Sequence, residues 1–239
     1  MEQIYEQELT ITPSLSDSDG KLGYYSAFGV CMDIAAIHAQ NLGIGVYELA
    51  KRNLFWLTVK TQLRFFDRPR MMERVTARTW PDQPGKLRGN RSYQILRNGT
   101  VLISGKTEWA VINQKTNQLS RMDDVYPAQM EFTTPSASPE PFARILDDFG
   151  NEPPYAQYTV CSADIDIGGH MNNTAYVRTM LGSMSNDALR GMNIRQIDIV
   201  FRAPCFEGDV LELQRRKRET CMEIRMSKHG DTVFLARVE

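Results

Sequence analysis

Residues Phe55 to Phe66, FWLTVKTQLRFF, alternate in character. Phe55, Leu57, Val59, Leu63 and Phe65 share one parity; Thr58, Lys60, Gln62 and Arg64 share the other. That is the period of a strand with one buried face. RVTARTW and GNRSYQILR read as further strands. Asn98-Gly99 joins the latter to TVLISGKTEWAVIN and predicts a tight type I′ hairpin. Ahead of these strands, YYSAFGVCMDIAAIHAQNLG is helical: Phe28, Met32, Ala35, Ala39 and Leu42 recur at helical spacing, and Gly43 supplies the stop. Val30, Ile34, Ala36 and Ile37 make this helix apolar nearly all round, which predicts a helix wrapped by a curved sheet.

The order then repeats. YPAQMEFTTPSASPEPF, with Pro127, Pro135, Pro139 and Pro141, reads as a linker. After it come a strand (PPYAQYTVC), a polar loop, a helix (TAYVRTMLGSMSNDALRG) and four strands (RQIDIVFRAP, DVLELQRRK, TCMEIRMSK, DTVFLARVE). The expected organisation is a first domain over 1–126, a linker over 127–150 and a second domain over 151–239. The two polar loops correspond, LSDSDGKLGYY in the first half and CSADIDIGGHMNNTAY in the second. Matching their D-x-D pairs sets Asp17 and Asp19 against Asp164 and Asp166. Only the second loop adds a histidine and two asparagines, so the expectation is one working site, in the second half.

The chemistry of that loop starts from Asp166 and His170, four residues apart across Gly168-Gly169. The glycines let a carboxylate and an imidazole converge at the start of a helix, where amides and the helix dipole favour a developing oxyanion. Such a set suits acyl transfer to water. The structural alternative has Asp164 or Asn172 capping the helix and His170 packed, with Asn173 or Thr174 equally able to cap. His38, on the apolar helix, reads as packed, and His229, in SKHGDT, as a solvated hairpin turn.

Composition narrows the field. The chain has 239 residues, 42% hydrophobic and 24% charged, with a formal net charge of −1. No electrostatic pull toward nucleic acid or anionic membrane is expected. No apolar run is long enough to span a bilayer, so no membrane insertion is expected. The N-terminus lacks the basic and apolar regions of a secretory signal. Cys31, Cys161, Cys205 and Cys221 are widely spaced and the three histidines scattered, so neither a metal site nor a cofactor is expected. A cytoplasmic protein with reduced thiols follows.

DIDIGGHMNNTAYV resembles the D-x-D-x-N-x-H-x-N-N-x-x-Y signature of the acyl-acyl-carrier-protein thioesterases. KRNLFWLTVKTQLRF, TWPDQPGKLRGNRSYQI and SGKTEWAVINQKTNQLSRM are similar to further segments of that family, in the right order over nearly the whole chain. The resemblance implies an α+β fold of two tandem hotdog domains, each a long helix wrapped by a curved antiparallel sheet. It implies hydrolysis of fatty acyl-acyl carrier protein to free fatty acid, with the carrier protein as partner and a homodimer as a candidate assembly. It carries catalytic roles onto Asp166 and His170 and extends to Asn172. Gly169 and Asn173 are candidates for substrate binding, as are Met32 and Ala35 along an acyl tunnel in the first half. In two places the chain departs from the family: Gly168 stands where the family has asparagine, and Pro204 where plant members have the glutamate of a Glu-Cys pair. Cys205 matches the cysteine, either as a nucleophile or as a small buried hydrophobe, and Glu207 is a substitute for the glutamate or part of a turn. The RRKR run, Arg215 to Arg218, is either a solvated strand face or a docking patch for an acidic carrier. The competing readings are an acyl-coenzyme A thioesterase on the same fold and a non-catalytic acyl-binding module.

Overall fold

The computed structural model describes residues 3–150 and 152–239; Met1, Glu2 and Asn151, which open the two expected domains, lie outside them. The chain divides into two compact units, Met1–Pro141 and Phe142–Glu239.

The first unit runs β1 (Tyr5–Thr10), α1 (Tyr24–Asn41), α2 (Val46–Lys51), β2 (Leu54–Phe65), β3 (Arg74–Pro81), β4 (Arg88–Arg97), β5 (Thr100–Asn113) and β6 (Gln118–Leu119). Its antiparallel sheet has the order β1-β3-β4-β5-β2, with β6 on β5. Asn98 (φ 48°) and Gly99 (φ 80°) make the expected type I′ turn between β4 and β5. Strand β2 departs from simple alternation. Its register against β5 shifts between Thr58 and Lys60. This bulge at Val59 swaps the faces. Leu54 and Trp56, rather than Phe55 and Leu57, therefore join the core with Leu42, Ile44, Leu49 and Val111.

Helix α1 buries Phe28, Cys31, Ile34, Ala35, His38 and Ala39. It is not wrapped all round, because Asp33, Ala36 and Ile37 face solvent. The hydrophobic count overstated its burial, since alanine and a single isoleucine are tolerated on a surface. Gly43 (φ 73°) ends the helix in a Schellman motif: the Ile44 amide donates to Ala39 O (2.9 Å) and the Gly43 amide to Gln40 O (3.0 Å). His38 is packed as expected. Its Nδ1 accepts from Arg91 Nη1 at 3.0 Å, and its ring stacks on Tyr5.

The second unit runs β7 (Ala156–Thr159), α3 (Asn173–Gly182), α4 (Asn186–Met192), β8 (Gln196–Phe201), β9 (Val210–Lys217), β10 (Met222–Lys228) and β11 (Asp231–Val238). The sheet order β7-β9-β10-β11-β8 reproduces that of the first unit strand for strand. Tyr176 of α3 stacks on Phe234 (centroids 5.6 Å apart) and meets Phe201 edge-on, fixing helix to sheet. The single helix expected from Thr174 to Gly191 is two helices. Gly182 and Ser183 end the first, and the Ser185 hydroxyl accepts from the Ala188 amide (3.2 Å) to cap the second. His229 (φ 52°) and Gly230 (φ 87°) turn the β10–β11 hairpin, with His229 exposed.

The proline-rich stretch has no regular elements and is pinned at intervals. In the first unit the Trp80 indole donates to Pro135 O (3.1 Å) and Ser138 Oγ to Gln62 Oε1 (2.7 Å). In the second, Ile145 and Phe149 are buried against Leu235.

Candidate active site

The loop between β7 and α3 is built in layers. A short 3-10 turn, Ser162–Asp164, comes first. Asp164 is fully buried at its base and accepts from the Cys161 amide (2.9 Å), the Tyr158 hydroxyl (2.8 Å), the Cys161 thiol (3.2 Å) and Arg178 Nη2. Burial works against its charge, yet the Cys161 amide, the Tyr158 hydroxyl and Arg178 hold the carboxyl below the usual carboxylate range. Asp164 is thus the structural aspartate of the D-x-D pair.

Ile165 then bridges to Met171, and a tight turn spans the five residues from Asp166 to His170. The Asp166 amide donates to His170 O (3.0 Å) and the Gly169 amide to Asp166 O (3.0 Å). Gly169 (φ 77°) takes the left-handed conformation this turn requires. Asp166 Oδ1 accepts from the Gly168 amide at 2.7 Å. His170 Nδ1 lies 3.7 Å from the same oxygen, and the two side chains are 28% and 24% exposed, histidine first. A Cβ on Gly168 would come within 2.9 Å of His170 Nε2 and 3.0 Å of Asp166 Oδ1. Carboxylate and imidazole therefore converge over a backbone kept bare at residue 168. An asparagine there would have to displace one of them.

The remaining candidate residues take up different positions. Gly169, a candidate for substrate binding, uses its amide to close the turn. Asn172 is first of all the helix cap: its Oδ1 accepts from the Thr174 amide at 2.8 Å, so only its NH2 group is left for a substrate. Asn173 is the first residue of α3 rather than its cap. Cys205 is fully buried, and burial pushes its thiol up in pKa, against a hydrogen bond with Tyr176. A thiol held protonated is a poor nucleophile. Its carbonyl has a use, since it accepts from the Met171 amide (2.7 Å) and ties the loop to the chain after β8. Glu207 is exposed in the turn that Gly208 (φ 86°) completes. Met32 is half-buried and Ala35 buried on α1 of the first unit. In the RRKR run, Arg216 (2.8 Å) and Arg218 (3.0 Å) pair with Glu223, and Arg215 lies over the Tyr155 ring. Part of that positive charge is therefore already neutralised.

The first loop shows what the same backbone does without the histidine. Ser16 bridges to Leu22, the Asp17 amide donates to Lys21 O (2.8 Å), the Gly20 amide donates to Asp17 O (2.9 Å), and Gly20 has φ 72°. Bond for bond, Asp17 matches Asp166, Asp19 matches Gly168, and Lys21 matches His170. The D-x-D alignment was therefore two residues out of register. The Leu22 amide donates to Pro69 O as Met171 does to Cys205 O, so Arg68 matches Pro204. Arg68 binds Asp17 Oδ2 (3.0 Å), Asp19 Oδ2 and Leu22 O (2.9 Å), and lies over the Tyr24 ring. In the first loop an arginine occupies both carboxylates. In the second, proline stands at the arginine's position and the side chain beside Asp166 is that of His170.

Two units of one topology, each laying a helix on an antiparallel sheet, with an acid–base turn leading into one of those helices, define a tandem hotdog protein. Comparisons give the family. The Acyl-ACP thioesterase N-terminal domain family matches residues 2–130, and the Acyl-ACP thioesterase C-terminal domain family matches residues 151–238. The chain belongs to the acyl-ACP thioesterase family. It is 26% identical over 198 residues, 75% of its length, to oleoyl-acyl carrier protein thioesterase 2, chloroplastic, of Arabidopsis thaliana, and covers 54% of that protein. To palmitoyl-acyl carrier protein thioesterase, chloroplastic, of Cuphea hookeriana it is 27% identical over 176 residues, covering 69% of this chain and 41% of that one. The chain thus spans about half the length of the curated relatives it matches. Among solved structures, an acyl-ACP thioesterase from Bacteroides thetaiotaomicron superposes with a TM-score of 0.89 at 21% identity, covering 99% of this chain and 97% of that one. The 12:0-ACP thioesterase from Umbellularia californica superposes with a TM-score of 0.82 at 17% identity, covering 100% and 97%. No helix among the described residues is long and apolar enough to cross a membrane.

Proposed function

We propose that this chain hydrolyses the thioester of fatty acyl-acyl carrier protein and releases free fatty acid. The observation that carries the reading is the contrast between the loops: Asp17 is bound by Arg68, whereas Asp166 has His170 at 3.7 Å beside a bare Gly168. Asp166 and His170 take a proton from the attacking water and return one to the departing thiolate. Water oxygen bonds to the acyl carbon as the carbon–sulfur bond breaks, giving the fatty acid and the carrier thiol. Asn172 offers its NH2 to the substrate, while its oxygen holds the helix. The carrier protein is the partner, and the cytoplasm is the compartment that fits four cysteines without a disulfide.

The test is turnover of acyl-carrier-protein substrates of several chain lengths, alongside matched acyl-coenzyme A esters. Release of fatty acid from the carrier substrates with the higher kcat/KM is the expected result. Turnover of coenzyme A esters alone would move the protein to the other thioesterase class. No turnover of either, with fatty acyl ligand retained, would leave an acyl-binding module.

A further inference from the structure

Two large apolar side chains beside the acid–base turn are left in solvent. Ile167, directly after Asp166, is 71% exposed, and Phe206, directly after Cys205, is 49% exposed. Both lie next to the loop in the chain or through its backbone hydrogen bonds. Ile167 adjoins the carboxylate, and Phe206 follows the residue whose carbonyl takes the amide of Met171, next to His170. Phe206 is held in place: its amide donates to Asp209 Oδ2 (2.8 Å), and Lys228, paired with the same oxygen at 3.0 Å, lies 5.6 Å from its ring. The first unit repeats this framework with different residues. Ser18 occupies the position of Ile167. Arg70, whose amide donates to Glu73 Oε2 (2.9 Å), occupies that of Phe206. Both are exposed and polar, and the apolar exposure there falls one residue further on, at Met71 and Met72.

We propose that Ile167 and Phe206 bind the pantetheine arm of the thioester substrate, the amide-and-dimethyl chain that carries the sulfur. This rests on the thioesterase reading above. The atoms next to a thioester poised at Asp166 and His170 are, on the sulfur side, those of this arm, whatever carrier lies beyond. An apolar pair at that place covers the arm and shuts bulk water out of the turn.

The experiment compares Ile167→Ser, Phe206→Ser and, as a control, Leu119→Ser, an exposed leucine on β6 of the first unit. Kinetics use acyl-carrier protein, acyl-coenzyme A and an acyl-N-acetylcysteamine ester, which lacks the dimethyl half of the arm. For each of the first two variants KM should rise about five- to tenfold on carrier and coenzyme A substrates alike, with kcat within about twofold. It should rise less on the truncated ester, which keeps only the amide nearest the sulfur, and change little in the control. Binding of free pantetheine, followed by ligand-observed NMR in the His170→Ala background, should weaken by the same factor. That readout needs no turnover, so it separates failure of the arm site from failure of the catalytic reading. Unchanged KM and pantetheine binding would overturn the proposal. A loss confined to the carrier substrate would also overturn it, placing the two side chains against the carrier's protein surface instead.

Discussion

Asp166→Asn and Arg68→Met should separate catalysis from stability in two loops of one geometry. Asp166→Asn keeps an oxygen for the Gly168 amide and removes the base. The Asp166–His170 separation of 3.7 Å, at about a quarter exposure, is a loose contact, longer than a hydrogen bond. Its loss should cost under about 1 kcal/mol of stability. Losing a positioned acid–base group lowers kcat by about 10²–10⁴-fold, or about 2.7–5.4 kcal/mol of transition-state stabilisation. Arg68→Met has the opposite profile. It removes charged hydrogen bonds to Asp17 and Asp19, one to Leu22 O and the contact with the Tyr24 ring. Taken at face value these would exceed about 4 kcal/mol. Asp17 is 41% exposed, so solvent screening brings the loss to about 2–3 kcal/mol.

The assay pairs thermal unfolding with steady-state kinetics on an acyl-carrier-protein substrate. Arg68→Met should lower Tm by about 4–12 °C and leave kcat within a few-fold. Asp166→Asn should lower kcat by at least a hundredfold and move Tm by no more than about 4 °C. Equal losses of kcat in the two variants, both folded by circular dichroism, would refute the assignment of chemistry to the second loop.

Further outcomes follow from the same geometry. Gly168→Ala should lower kcat about 10- to 100-fold, because a Cβ there pushes the carboxylate or the imidazole from its place; wild-type kcat would show that the convergence over Gly168 has no catalytic value. Gly168→Asn, which restores the family's residue, should also fall below wild type in the same assay. Cys205→Ser should keep kcat/KM within a few-fold, since burial holds the thiol protonated; a nearly dead variant would make Cys205 the nucleophile. Asp164 has a folded pKa below its unfolded value, so its stabilisation is complete above about pH 4 and lost as pH falls through the folded pKa. Acid unfolding followed by circular dichroism should therefore lose part of its steepness below about pH 4 in Asp164→Asn, alongside a drop of about 2–4 kcal/mol at neutral pH.

Much of the architecture was legible because it depends on periodicity and turn chemistry. Asn98-Gly99 admits positive φ at both positions, Gly43 does so at a helix end, and each segment read as a strand after α1 forms one. What failed to show is local and has no periodic signature. A bulge is one residue without a partner, so Val59 reads as part of an unbroken alternation and the faces of β2 come out reversed beyond it. The break between α3 and α4 lies in Gly182 to Ser185, small residues that a helix tolerates until a serine offers a better cap. On α1, hydrophobic composition could not distinguish Ile34, which is buried, from Ile37, which is not. At the site, Asp166 and His170 were found by their spacing and by the family signature. That Gly169 closes the turn, and the choice between capping and substrate binding for Asn172, were not, because the residues that cap helices and close turns are also the ones that bind substrates.

The register of the internal repeat gives the clearest reason for there being one candidate site rather than two. Aligning aspartates placed Asp19 against Asp166, and by that reading the first loop lacked only a histidine. Aligning hydrogen bonds places Asp17 there, with Lys21 opposite His170 and Arg68 opposite Pro204. The first loop then differs in the sign of its surroundings as well as in one side chain. Arg68 engages both of its carboxylates and ties them to the helix start and to Tyr24. Burial raises the Asp17 carboxyl above the usual carboxylate range, against the Tyr24 amide and Arg68, so what sets this loop apart is that Arg68 already engages both carboxylates. Placing histidine at residue 21 would therefore not make that loop reactive while Arg68 remains. In the second loop proline removes the cation, glycine removes the second carboxylate, and histidine replaces lysine. Asp166 is left next to an imidazole, a side chain that can both donate and accept a hydrogen bond.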